Sequence, residues 1–165
     1  MTRKQHVDYW TKSAAENMRD MRAAIKSKRR TNALFCGHLA IEKMLKGLCA
    51  AKDVRVYAEH KLLVLADNAG IAAQLSVIQK TELATITGFN IQARYDDYKH
   101  RFSALCTPEY TNEWSGKITR WYKDLRVLVE EERKLLPDKT SDLQTLVRYP
   151  RRFCRSAQKP VHCIC

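Results

Sequence analysis

The sequence predicts an all-α fold: an antiparallel four-helix up-and-down bundle with an extra short helix. Three observations carry this. Apolar residues recur at steps of three or four through the long segments of the chain, the signature of one buried helix face. Only 5 Gly and 4 Pro occur in 165 residues, too few for a turn-rich all-β protein. No segment alternates apolar and polar residues as a half-buried strand does. Short connections between long helices make neighbours antiparallel. The length suits one domain whose core needs neither disulfides nor metal. That domain covers residues 1–137, and residues 138–165 read as a basic, Cys-containing, disordered tail.

The first helix spans residues 7–30, where Val7, Trp10, Ala14, Met18, Met21 and Ile25 share a face. Asp8 and Glu16 lie toward its start, and Lys26, Lys28, Arg29 and Arg30 crowd its end, an order that suits the helix dipole. The second helix, residues 32–52, has two stripes. Leu34, His38, Ile41, Leu45 and Leu48 form one, and Ala33, Gly37, Ala40 and Met44 the other. Two stripes place it centrally, between neighbours. Glu42, Lys43 and Lys46 leave it a charged face, with Glu42 and Lys46 able to pair at i,i+4.

Residues 53–59 read as a loop and residues 60–69 as a short helix, packed across one end of the bundle and ended by Gly70. Ser76 with Gln79 forms a capping box for a helix through Leu83, Ile86 and Asn90 to residue 93. Asp96 or Asp97 caps a further short helix on which Tyr98, Phe102 and Leu105 share a face, closed by Pro108. The last long helix spans residues 112–136, with Trp114, Ile118, Trp121, Leu125, Leu128 and Leu135 inward, and Pro137 stops it.

Charge bears on function. Thirty Lys and Arg against 18 Asp and Glu give a formal net charge of +12, which suits a polyanionic partner such as RNA or DNA, or an acidic protein. Part of the excess lies in the tail, where Arg148, Arg151, Arg152, Arg155 and Lys159 face only Asp142. No apolar run approaches the roughly 20 residues a membrane span needs, and the start of the chain lacks the apolar stretch of a secretory signal. A cytoplasmic protein without membrane association is expected. Cys36, Cys49 and Cys106 fall in helical patterns, where a thiol packs as a small apolar group. Cys154, His162, Cys163 and Cys165 lack paired metal-knuckle spacing. Neither metal nor cofactor is called for.

Several stretches, taken in order, resemble a known family. Tyr9 and Trp10 with Ser13 and Ala14 open the first helix, and the second carries Ala33-Leu34-Phe35-Cys36-Gly37-His38-Leu39-Ala40-Ile41-Glu42-Lys43-Met44-Leu45-Lys46. His60-Lys61-Leu62-Leu63 and Ala93-Arg94-Tyr95-Asp96-Asp97-Tyr98 follow. Together they are similar to the HEPN domain over residues 7–136. The resemblance implies a helical bundle that dimerises. It also implies either a metal-independent ribonuclease, often the toxin beside a minimal nucleotidyltransferase antitoxin, or a noncatalytic module binding nucleotide or such a partner. Active members carry an Arg and a His with four to six residues between them. Arg94 and His100 meet that spacing with five residues between. Tyr95 follows the Arg in place of a small polar residue. Phe102 stands where the toxin subset has a Tyr that an antitoxin modifies, and Tyr98 is a candidate substitute.

Metal-free RNA cleavage needs a base for the 2′-hydroxyl proton and a cation for the phosphate charge. The expected catalytic pair is therefore His100 and Arg94. Arg94, Tyr95, Asp97, Tyr98, Lys99 and Arg101, with Lys43 and Lys46 on the second helix, are the expected nucleic-acid or nucleotide contacts. On one continuous helix six positions separate two side chains by roughly 120°. The pair converges only across a helix break, for which the two Asp residues are suited, or across a dimer. The alternative is a local ion pair of Arg94 with Asp96 or Asp97, with His100 on a solvated face. His38 reads as a satisfied core histidine, His60 as a helix-start residue and His6 as part of a loose terminus. Trp114 and Trp121 read as core.

Overall fold

Thr2 starts the first helix earlier than its apolar pattern does. Its hydroxyl accepts from the Gln5 amide while the Gln5 side chain accepts from the Thr2 amide, a capping box that begins α1 at Arg3–Lys26. The computed structural model describes residues 1–55, 58–94 and 96–137, and only the backbone of 96–99. The expected tail from residue 138, with its cysteines, and Tyr95 lie outside the described residues, as do the side chains of Asp97, Tyr98 and Lys99. All regular structure among the described residues is helical: α2 Arg30–Ala51, α3 Leu62–Asn68, α4 Val77–Gln92, α5 Asp96–Leu105 and α6 Pro108–Lys134, with a 3-10 turn at Ala72–Gln74. No helix among them is long and apolar enough to cross a membrane.

The expected capping box of Ser76 and Gln79 opens α4, and Gly70 ends α3 in the left-handed region at φ 71°, where only Gly sits without strain. Pro108 corrects the expectation. It does not close α5 but occupies the first turn of α6, with Thr107 as N-cap accepting from the Tyr110 amide. Proline suits that place because the first amides of a helix have no intrahelical partner. Two inward faces also shift. On α6 Val129 is fully buried, while Leu128 and Leu135 are exposed. On α5 Cys106, just past the helix, is buried beside Phe102, and Leu105 is exposed.

The central position of α2 is borne out: it packs against α1, α3, α4, α5 and α6. Lys43 on α2 bonds Ser13 and Gly47 lies against Trp10, so α1 and α2 run in opposite directions. Gly37 meets Ile118, and Lys52 meets Glu132 at 3.6 Å, so α2 and α6 run the same way. Opposite to α6 runs α4, since Glu82 bonds Arg120 and Phe89 packs on Trp114. The core is Leu34, Ile41, Met44, Leu45 and Leu48 of α2, with Met18, Met21, Ile86, Phe89, Ile118 and Leu125 around them.

Gly37 sets the α2–α6 spacing. A Cβ there would stand 2.6 Å from Ile118 Cδ1 and 3.0 Å from Met21 Sδ. The first contact is the far end of a flexible side chain, so Gly37→Ala forces Ile118 to rotate. Gly37→Val drives the helices apart and should destabilise the protein by roughly 3 kcal/mol, at the upper end of ordinary overpacking. Urea unfolding checks this. Ile118→Ala should restore part of the loss in the Gly37→Ala background, and strictly additive losses would show that the two side chains do not compete.

Candidate functional site

Two places gather chemistry-bearing side chains. The first is the break between α4 and α5. Gln92 ends α4, Ala93 and Arg94 form a turn, and α5 starts at Asp96, so Arg94 stands outside α5 and His100 within it. A single helix would hold the pair apart; here no single helix contains both. Arg94 is exposed, and its Nε donates to the Asn90 carbonyl at 3.1 Å. That bond satisfies a C-terminal carbonyl of α4 and lays the side chain back along the helix. His100 and Arg101 are exposed. Among the described residues no hydrogen bond or ion pair joins Arg94 to His100, and no described carboxylate pairs with either. The alternative ion pair with Asp96 or Asp97 falls on side chains outside the described residues.

Phe102 anchors α5. Its ring is buried and stacks on Phe89 of α4 with centroids 5.5 Å apart, which fixes the helix carrying His100 against the core. The N-terminus of α2 shares this end of the molecule, close enough for the Arg30 charge to act on Cys106 and Glu109.

The second place lies along α2. His38, Glu42 and Lys46 stand at i, i+4 and i+8, all 9% exposed or less, so Glu42 and Lys46 of the expected charged face are buried and Lys43 is half-buried. Glu42 Oε1 accepts from Lys46 Nζ at 2.7 Å, and Oε2 faces His38 Nε2 and His60 Nδ1, each at 3.1 Å. Burial pushes the Glu42 carboxyl up. The three donors, with the Lys46 charge, outweigh it and hold the carboxyl at about 2. His38 Nδ1 lies 3.1 Å from the Ile86 carbonyl. A carbonyl and a carboxylate both only accept, so both His38 contacts are hydrogen bonds only when the ring carries two protons. The expectation of a satisfied core histidine is met, and its partner is a buried charge.

Lys46 also lies over the Trp10 ring, 5.4 Å from its centroid. Both line an open pocket of about 560 Å³ between the start of α1 and the end of α2, with Arg3, His6, Asp53 and Arg55 around it. Arg3 is paired with Asp53 at 2.6 Å. These residues come from separate segments, and no sequence spacing connects them. The Glu42–Lys46 pair was legible at i,i+4 spacing; the place of His38 beside it and the approach of His60 were not.

The expected contacts therefore divide. Arg94, His100 and Arg101 share one end. Lys46 is about 24 Å along α2 from Arg30, at 1.5 Å per residue, and is bonded to Glu42, while Lys43 donates to Ser13 Oγ at 2.8 Å. Among the described residues no group of three His, Cys, Asp or Glu is placed to hold a metal ion. Burial pushes the Cys49 and Cys106 thiols up to about 11, as for packed apolar groups.

Among known protein families, the model of the HEPN domain matches residues 7–120. No curated protein and no solved structure matches the chain.

Proposed function

The chain belongs to the HEPN domain family, and from that premise we propose that it is a metal-independent ribonuclease acting as a homodimer, with Arg94 and His100 at its centre. The observation that carries the reading is the helix break that places Arg94 outside α5 while His100 stands on that helix, both exposed. In the proposed reaction His100 takes the 2′-hydroxyl proton and O2′ attacks the adjacent phosphorus. The bond to the 5′-oxygen breaks, and a solvent water protonates that oxygen as it leaves. The guanidinium of Arg94 steadies the charge that builds on the phosphate. Tyr95, Asp97, Tyr98, Lys99 and Arg101 would flank the substrate.

A dimer is supported by the outer face of α4, which exposes Val77, Ile78, Ala84 and Ile91 and runs directly into Arg94. The alternating directions of α1, α2, α4 and α6 support a four-helix up-and-down bundle. Pairing with a minimal nucleotidyltransferase antitoxin in the cytoplasm belongs to the same proposal. Phe102 is buried and has no hydroxyl, so control by nucleotide transfer to that position is not available, and Tyr98 is a candidate substitute.

Cleavage of a labelled tRNA pool in excess EDTA tests the reading. Wild type should cut, while folded Arg94→Ala and His100→Ala should not; cutting by both variants as fast as wild type would refute the assignment. The noncatalytic alternative, a module binding nucleotide, is favoured by the pocket with an aromatic wall at Trp10 and cations at Arg55 and Lys46. Absence of cutting, together with nucleotide affinity lost in Trp10→Ala, would select it.

A further inference from the structure

The turn between α1 and α2 concentrates positive charge that suits the end of α1 but, at Lys28, Arg29 and Arg30, opposes the local backbone and the start of α2. Lys26, Lys28, Arg29 and Arg30 follow within five positions; Arg30 is half-buried and the others are exposed. None forms an ion pair with a described carboxylate. Lys28 has φ 58°, a left-handed conformation that favours Gly. It sits where the Arg29 amide reaches back to the Ala24 carbonyl at 2.8 Å, the helix-ending position where Gly is usual. Arg29 is the N-cap of α2 and its side chain makes no capping bond, although Ser, Thr, Asp and Asn are preferred there. Arg30 opens α2, where the helix dipole disfavours a cation. A sequence selected for the fold alone would place Gly, Ser and an acidic or neutral residue at these three positions. Local choices that oppose the fold tend to mark function.

The position of the turn points to the ligand. Antiparallel α2 and α4 bring the start of α2 to the same end as the end of α4. His38 bonds Ile86, and Arg30 lies near enough to Cys106 and Glu109 for its charge to be felt there. Arg94, His100 and Arg101 are at this end. Glu109 is the carboxylate that Arg30 faces from α6, and Asp20 of α1 is felt with Arg29 at Cys36. Neither reaches ion-pairing distance of these cations.

We infer that the Lys28–Arg29–Arg30 turn is a rail for the sugar–phosphate backbone of single-stranded RNA leading into the Arg94/His100 site, an inference that rests on the ribonuclease reading. Phosphate contacts of this kind fix register without reading sequence.

The test exploits the conflict between fold and charge. The triple variant Lys28→Gly, Arg29→Ser, Arg30→Gln removes three cations and installs the residues the turn prefers, so it should unfold at a higher urea concentration than wild type. Binding is read by anisotropy with a short labelled RNA bearing 2′-O-methyl sugars, which cannot be cut. Affinity should fall roughly a hundredfold near 0.1 M salt, and the slope of log K against log salt should shrink by about 2, or about 0.7 per lost phosphate contact. With cleavable RNA, KM should rise while kcat holds, because Arg94 and His100 are untouched. A control triple, Lys12→Gln, Lys123→Gln, Arg126→Gln, removes the same charge from other exposed positions and should lose much less affinity. Equal losses in the two triples, or an unchanged salt slope in the first, would overturn the rail while leaving the ribonuclease reading intact. Wild type that neither binds nor cuts RNA would overturn both.

Discussion

Replacing Glu42 by Gln should destabilise the fold by roughly 3–5 kcal/mol, the range for breaking a buried charge pair by removing one partner. Two carboxylate oxygens accept from Lys46, His38 and His60. An amide presents its own N–H₂ on one side and so opposes at least one of those donors. Lys46 would then lose its counter-charge in a buried setting. Such a loss is a large share of the stability of an ordinary domain. The sign of the pH dependence follows from the same contacts. The folded carboxyl sits at about 2 against an ordinary 4.5. Its contribution, roughly 3 kcal/mol, is fully present above the unfolded value and is lost as pH falls through the folded one. Urea midpoints measured from pH 6 downward should show this acid leg in wild type, and Glu42→Gln should flatten it. A variant within about 1 kcal/mol of wild type, the scatter of ordinary surface substitutions, would show that the network does not hold α2 to the segment around His60.

The second large effect falls on catalysis. Alanine at His100 or at Arg94 should each reduce RNA cleavage by at least 100-fold, the lower end of what general acid–base and charge-stabilising groups contribute. Stability should move little, because His100 is exposed and makes no described bond, while Arg94 gives up one bond to the Asn90 carbonyl. Equal loss of rate in the two variants with unchanged urea midpoints would separate chemistry from folding. Mixing the two inactive variants adds information. Recovery of activity would mean that Arg94 of one copy works with His100 of the other, and no recovery would place both within one chain.

The fold was legible where the helical period is strong. Positions such as Ala14, Met18, Met21 and Leu34, His38, Ile41, Leu45 follow steps of three and four that only a helix buries together. Misreadings arose where two signals compete. Pro108 ends one helix pattern and opens another, and Thr107 before it was the capping signal that decides between them. Val129 and Leu128 flank one face: at 100° per residue each lies about 50° from the mean direction of Trp114, Ile118, Trp121 and Leu125, so the period alone does not choose between them. Early in the chain Thr2 and Gln5 formed a capping box without an apolar residue to draw attention to it.

The candidate site was legible only in part, for a physical reason. The spacing of Arg94 and His100 lies along the chain, but the expected cap is corrected: α5 begins at Asp96, so Asp96 and Asp97 are its first helical residues and neither is its N-cap. Nothing local brings His60 to Glu42, or Arg55 to Trp10, because those contacts depend on how a loop and two helix ends pack. The buried state of Lys46 likewise depends on Trp10 from another helix. Charge in the α1–α2 turn was visible as a cap for α1. Its conflict with α2 became visible only with the φ of Lys28 and the uncapped start at Arg29.

The most direct measurement is the identity of the ends made when the purified chain cuts labelled RNA in EDTA. Attack by the neighbouring 2′-hydroxyl predicts a 2′,3′-cyclic phosphate on one fragment and a free 5′-hydroxyl on the other. A single 2′-deoxy sugar at the cut position should abolish cutting there. Products ending in a 3′-hydroxyl and a 5′-phosphate, or undiminished cutting at the deoxy position, would contradict the roles given to Arg94 and His100.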